Sequence, residues 1–167
     1  SEIKKSVLEL GGSNALVVFD DCDFEQTVAT CVQARFQNTG QSCIAGKRLL
    51  LHDKVYDKFM DAFAKAVTQL KSGDPLDKDT YIGVMAREDL AIELEEQLKA
   101  TVDAGAKVLV GGHRQKAYFE PTIVTGVTPE MSIFKEETFG PVIGVTRFTD
   151  DQEAVDLVNQ SDFGLGV

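Results

Sequence analysis

The chain has 167 residues, 43% of them apolar and 26% charged, enough for one domain with a sizeable core. Its 17 Lys and Arg stand against 27 Asp and Glu, a formal charge of −10, which argues against a nucleic-acid partner, because such binding needs basic side chains to neutralise phosphates. No apolar run nears the ~20 residues that span a bilayer, and the mixed, charged opening is unlike a secretory leader, so a cytoplasmic protein with no membrane partner is expected.

Residues 15–19 are a short continuous apolar run, suited to a strand buried on both faces. Asp20, Asp21 and Asp23 offer turn and N-cap groups for a helix over 24–36, in which Phe24, Val28, Cys31, Val32 and Phe36 recur at helical spacing. Cys31 therefore belongs to a buried stripe. A small polar loop with one glycine follows and ends at Cys43, after which the basic pair Lys47 and Arg48 opens a second apolar strand over 49–51. Asp53 can cap the next helix, whose face carries Val55, Phe59, Phe63, Val67 and Leu70; residues 71–73 end it and 73–79 form a loop. A third helix is predicted over 87–104, with Leu90, Leu94, Leu98 and Val102 on one row and Gly105 as its stop. Strand-like runs at 107–110, 121–124 and 142–145 and a short helix over 151–160 complete the pattern. Alternating strands and helices predict an α/β fold in three layers, a mostly parallel sheet with helices on both faces. The last residues look like the approach to a further strand, so the chain reads as a piece of a longer polypeptide.

Cys22, Cys31 and Cys43 lack metal-type spacing, and His52 and His113 are too scattered to help, so neither a metal nor a disulfide framework is expected. Of the three thiols, Cys43 lies in the setting that suits a nucleophile, a polar loop with backbone N–H groups and basic residues nearby. Glu9 stands beside Gly11 and Gly12, where a tight turn could bring its carboxylate to a reacting centre as a general base; a surface glutamate is the plain alternative. In the run 135–141, a carboxylate could take a sugar diol while the aromatic ring packs on a flat ligand; a charged loop leading into a strand is the alternative. A Gly-x-Gly-x-x-Gly phosphate cradle and a Ser-His-Asp or Cys-His arrangement are not evident.

In this order, Glu9-Leu10-Gly11-Gly12, Gly40-Gln41-Ser42-Cys43 and Glu136-Glu137-Thr138-Phe139-Gly140-Pro141 resemble the thiol-bearing catalytic domain of the NAD(P)-dependent aldehyde dehydrogenases. The resemblance runs from end to end, through the residues before Cys43 to Phe163-Gly164-Leu165. It implies that Cys43 attacks an aldehyde carbonyl, its own N–H helping to hold the oxyanion, and that Glu9 is the general base. It assigns Glu137, Phe139 and Gly11 to the nicotinamide end of NAD or NADP, with Gly12 and Gly40 as structural partners of these loops. The run 34–48 is most similar to bacterial succinate-semialdehyde dehydrogenases, which implies the small-molecule aldehyde succinate semialdehyde as substrate, with other small aldehydes as the alternative. Ser42 and Arg48 are nearby in sequence as partners for a far carboxylate, and Arg48 as a cap on the strand is the plain alternative. The resemblance further implies that residues 1–167 are a catalytic domain whose dinucleotide-binding domain and C-terminal oligomerisation strand lie outside the chain. A homo-oligomer is then expected for a full-length parent, and poor activity for this chain alone. Two readings from other classes stay open: a non-catalytic assembly module, and a cofactor-independent cysteine acyltransferase or hydrolase.

Overall fold

The structure is a computed structural model that describes residues 3–167. In chain order the elements are β1 (Asn14–Val18), α1 (Phe24–Phe36), β2 (Gly46–His52), α2 (Tyr56–Thr68), α3 (Glu88–Asp103), β3 (Lys107–Val110), β4 (Arg114–Gln115), β5 (Tyr118–Phe119), β6 (Thr122–Thr125), α4 (Ser132–Lys135), β7 (Val142–Phe148) and α5 (Asp151–Asn159). Five strands form one sheet in the order β1-β2-β7-β6-β3, and β4 and β5 make a separate two-stranded hairpin. Pairs β1–β2, β2–β7 and β6–β7 are parallel, whereas the edge strand β3 runs antiparallel to β6. The predicted three-layer, mostly parallel sheet is therefore present.

Period-two alternation along the central strands sends side chains to opposite cores. Leu49, Leu51, Ile123, Ile143 and Val145 pack with Phe36, Phe59 and Phe63 beneath α1 and α2. Leu50, Val124 and Val142 pack on the other face with Leu94, Phe134 and Leu157 of α3, α4 and α5. Both faces being covered explains why these strands read as continuous apolar runs.

Helix starts follow local chemistry. The Asp23 carboxylate accepts the Gln26 N–H at 3.2 Å and starts α1, and Asp150 does the same for Glu153 at 3.0 Å and starts α5. Asp53 does not cap α2. A 3-10 turn over Asp53–Val55 comes first, closed by His52 Nδ1 accepting the Lys54 N–H at 3.2 Å, so the helix begins at Tyr56. In α3 the buried set is Ala91, Leu94, Leu98 and Thr101, while Val102 is 38% exposed. Residues four apart drift by about 40° per step, so the leucine row leaves the buried face at its last member. Strand β2 is longer than the apolar run, and its burial begins at Gly46. Lys47 and Arg48 are inside the strand and buried, not at its entrance. Among the described residues no helix is long and apolar enough to cross a membrane.

Candidate active site

Cys43 sits in the connection from α1 to β2, and that connection is held in an unusual backbone conformation. Asn38, Thr39 and Gly40 all have positive φ, at 55°, 56° and 70°. Glycine takes this region without penalty, but a β-branched threonine does so only when its surroundings compel it. They do so here: buried Thr39 accepts the Gly83 N–H on its Oγ1 at 3.1 Å, and Gln41 Oε1 accepts the Ala86 N–H at 2.8 Å. The Asn38 side chain donates to the Gln41 carbonyl at 2.9 Å. Gly40 abuts the main chain of Gly140, where a Cβ would collide with that carbonyl. The chain before Cys43 is thus fixed from several sides, and Cys43 itself is half-buried.

On the inner side of this loop lies Lys47, whose side chain is fully buried. Its ammonium donates to the carbonyls of Ser42 at 2.9 Å and Cys43 at 3.0 Å and pairs with Glu137 Oε1 at 2.9 Å. Loss of water pulls the Lys47 pKa below the ordinary lysine range; Glu137 and Cys43 oppose that shift and the neighbouring Arg35 charge adds to it. The Gly12 N–H donates to the same Glu137 oxygen at 3.1 Å. A Cβ on Gly12 would come within 2.7 Å of the Cys43 carbonyl, and one on Gly11 would strike the Glu137 carboxylate. Gly11, at φ 74°, needs glycine on backbone grounds as well. Three separated segments of sequence therefore meet at one point: Gly11 and Gly12, the Cys43 loop, and Glu137.

Arg35, at the end of α1, locks the frame. It is fully buried, and its guanidinium donates to the carbonyls of Gly46 at 3.4 Å, Thr138 at 2.9 Å and Gly140. Burial pulls its pKa down to about 9, with Glu137 opposing, so it remains cationic at neutral pH. Arg48, the basic residue considered for a substrate carboxylate, is occupied elsewhere. It donates to the carbonyls of Ser13, Leu157 and Val158 at 3.0, 2.9 and 3.1 Å, and its guanidinium lies 4.9 Å from the Phe134 ring centroid, on the α4 side of the sheet. It braces the approach to β1 and the end of α5, and its place over Phe134 turns its guanidinium away from the Cys43 side of the sheet.

The site residues expected from sequence divide accordingly. Cys43, Gly11 and Glu137 come together. Phe139 is 36% exposed and lines a cleft of about 390 Å³ with Glu137, Leu90, Leu94 and Gln97. A carboxylate with its Oε2 against Gly11 and an aromatic ring at the same cleft could hold a sugar diol and a flat ring. Glu9 is exposed in the irregular segment ahead of β1, and among the described residues it forms no ion pair. Lys47 and Arg35 escaped the sequence reading as site residues. Arg35 follows Cys31 by one helical turn on the buried stripe, and a cation at such a position was the available signal.

The whole chain, residues 1–167, matches the Aldehyde dehydrogenase family. The chain belongs to that family. It is 44% identical to the succinate semialdehyde dehydrogenase [NAD(P)+] Sad of Escherichia coli K12 over 98% of this chain and 36% of that protein. It is 41% identical to the NADP(+) succinate-semialdehyde dehydrogenase of Mycobacterium leprae, over 99% of this chain and 37% of the relative. Among solved structures, the succinate-semialdehyde dehydrogenase of Burkholderia pseudomallei superimposes with a TM-score of 0.92 at 38% identity, covering 97% of this chain and 34% of that one. The betaine aldehyde dehydrogenase of Staphylococcus aureus, in complex with NAD+, gives 0.91 at 37% identity, over 95% and 33%. The chain thus spans little more than a third of the length of the curated relatives it matches.

Proposed function

We propose that this chain carries the nucleophile of an aldehyde dehydrogenase that oxidises a small aldehyde, succinate semialdehyde, to the carboxylic acid with NAD or NADP. The observation that supports it is the meeting of the Gly11–Gly12 turn, the Cys43 loop and the Glu137 carboxylate, which the family membership makes chemically coherent. The Cys43 thiolate adds to the aldehyde carbon, forming a C–S bond while the carbonyl electron pair moves to oxygen. The Cys43 N–H helps hold that oxyanion. Loss of hydride from the same carbon leaves a thioester, and water activated by Glu9 releases the acid and restores the thiol. NAD(P), when bound, supplies the hydride acceptor; Glu137 and Phe139 would hold its nicotinamide ribose and ring. Arg48 is withdrawn as the partner of the substrate's far carboxylate. The cleft of about 360 Å³ beside Ser42 and Ile44 offers the amides of Gln37, Asn38 and Gln41 instead. A full-length parent would add the remaining cofactor site and an oligomeric setting.

Two measurements test the reading. Cys43→Ala in a parent protein should lower aldehyde-dependent NAD(P) reduction by about 10³-fold or more, as loss of a nucleophile does, while leaving cofactor binding intact. On this chain, iodoacetamide near neutral pH should label Cys43 well before Cys22 or Cys31. An alanine variant that keeps its turnover, or equal slow labelling of all three thiols, refutes the proposal.

A further inference from the structure

We propose that Lys47 is a positioning residue that joins the Cys43 loop and the Glu137 carboxylate into one electrostatic unit. The inference rests on the reading of Cys43 as nucleophile and extends it to a residue on the adjoining strand. An ammonium has three donors, and Lys47 spends them on Ser42 O, Cys43 O and Glu137 Oε1, at 2.9, 3.0 and 2.9 Å, with its side chain fully buried. A charge shielded from water acts on its neighbours much more strongly than a surface charge. The groups that face it are Cys43 from the loop after α1, Arg35 from the last turn of α1, and Glu137 from the segment between α4 and β7. Arg48, next to it on β2, packs toward Phe134 on the opposite face of the sheet.

This placement has a mechanical and an electrical consequence. The loop carries consecutive left-handed residues at Asn38, Thr39 and Gly40 and is pinned on one side by Gly83 and Ala86; Lys47 pins its far end. Meanwhile the carboxylate that shares the ammonium sets how much positive charge is left for a thiolate at Cys43. Glu137 therefore acts on Cys43 through Lys47.

The test is a double-mutant cycle read as the rate of Cys43 alkylation by iodoacetamide at mildly alkaline pH, with each thiol followed by peptide mass spectrometry. Glu137→Gln keeps an acceptor oxygen but removes the charge, and should raise the rate roughly three- to tenfold. Lys47→Met should lower it by a similar factor. In the Lys47→Met background, Glu137→Gln should change the rate by less than about twofold, the non-additivity expected of groups in one network. Lys47→Arg, which keeps the charge, should retain the response to Glu137→Gln. A packing role alone predicts equal responses in both backgrounds, and that result overturns the proposal; so does a Glu137→Gln rate equal to that of the native chain. Should circular dichroism find Lys47→Met unfolded, the Lys47→Arg pair decides, and loss of the response there overturns it. If Cys43 labels no faster than Cys22 in the native chain, the dehydrogenase reading falls. If Cys43 labels first but takes no account of Lys47 and Glu137, only this inference does.

Discussion

Burial separates Cys31 from Cys43. Cys31 is 3% exposed, and loss of water, with a smaller contribution from Cys22, pushes its thiol up to about 12 from its ordinary 9.0. In the unfolded chain Cys31 releases its proton near 9.0, while the folded chain holds it to about 12. The unfolded state thus binds fewer protons across that window, and stability falls as pH rises through it, by at most about 1.4 kcal/mol per unit. Urea unfolding midpoints followed upward from pH 9 should decline more steeply in the native chain than in Cys31→Ala; equal slopes would remove the thiol as the cause. Glu9 is the opposite case, exposed and without an ion-pair partner among the described residues. Glu9→Gln should leave unfolding of this chain within about 0.5 kcal/mol of native and slow turnover of a parent protein by about 10²-fold or more. An unchanged turnover at neutral pH takes Glu9 out of the mechanism.

At the scale of elements, the frame of the site depends on one side chain at the end of α1. Arg35 supplies donors to the carbonyls of Gly46, Thr138 and Gly140, and so ties α1 to β2 and to the segment that carries Glu137 and Phe139. Arg35→Met keeps the bulk but takes a charged donor from all three carbonyls, of which Gly140 keeps the Val142 N–H at 2.9 Å, a loss of about 3–5 kcal/mol. For a domain of this size that lowers the thermal midpoint by roughly 10 °C. A midpoint within about 2 °C of native, by calorimetry, would refute that role. Arg35 also illustrates what sequence reading could and could not deliver. Helix α1 was legible to its end residues because Asp23 caps it and its apolar stripe is regular; the central strands were legible because burial on both faces leaves uninterrupted apolar runs. The β4–β5 hairpin, whose turn places Lys116 at φ 55°, and the one-turn helix α4 lack such periodicity and went unread. So did the antiparallel sense of β3, since pairing direction leaves no mark on four residues. At the site, the motifs named Cys43, Gly11 and Glu137, but their meeting point is a buried lysine. A lysine opening a strand carries no mark in sequence of the carboxylate that lets it be buried, because Glu137 lies far away along the chain.

Over the whole molecule, charge and exposed apolar surface act against each other. Ahead of β1, the segment from residue 3 to residue 10 is exposed, including Ile3, Val7, Leu8 and Leu10, each at least 72% accessible. At the other end of the chain Leu165 and Val167 are exposed too, and β1 and β3 leave both margins of the sheet open to pairing. Apolar clusters of this kind promote association, but a formal charge of −10 repels like copies. Salt shortens the reach of that repulsion to about 8–10 Å at physiological strength and about 3 Å at 1 M, while apolar burial is little affected. The purified chain should therefore self-associate more strongly as salt increases. Sedimentation velocity over a concentration series, at low and at high salt, measures this. Replacing Leu8 and Leu10 together by lysine should weaken association at high salt while leaving the secondary-structure signal unchanged, because neither residue packs in either core. A chain that stays monomeric at every concentration in both salts would refute the argument, and association that weakens with salt would point instead to attraction between charges.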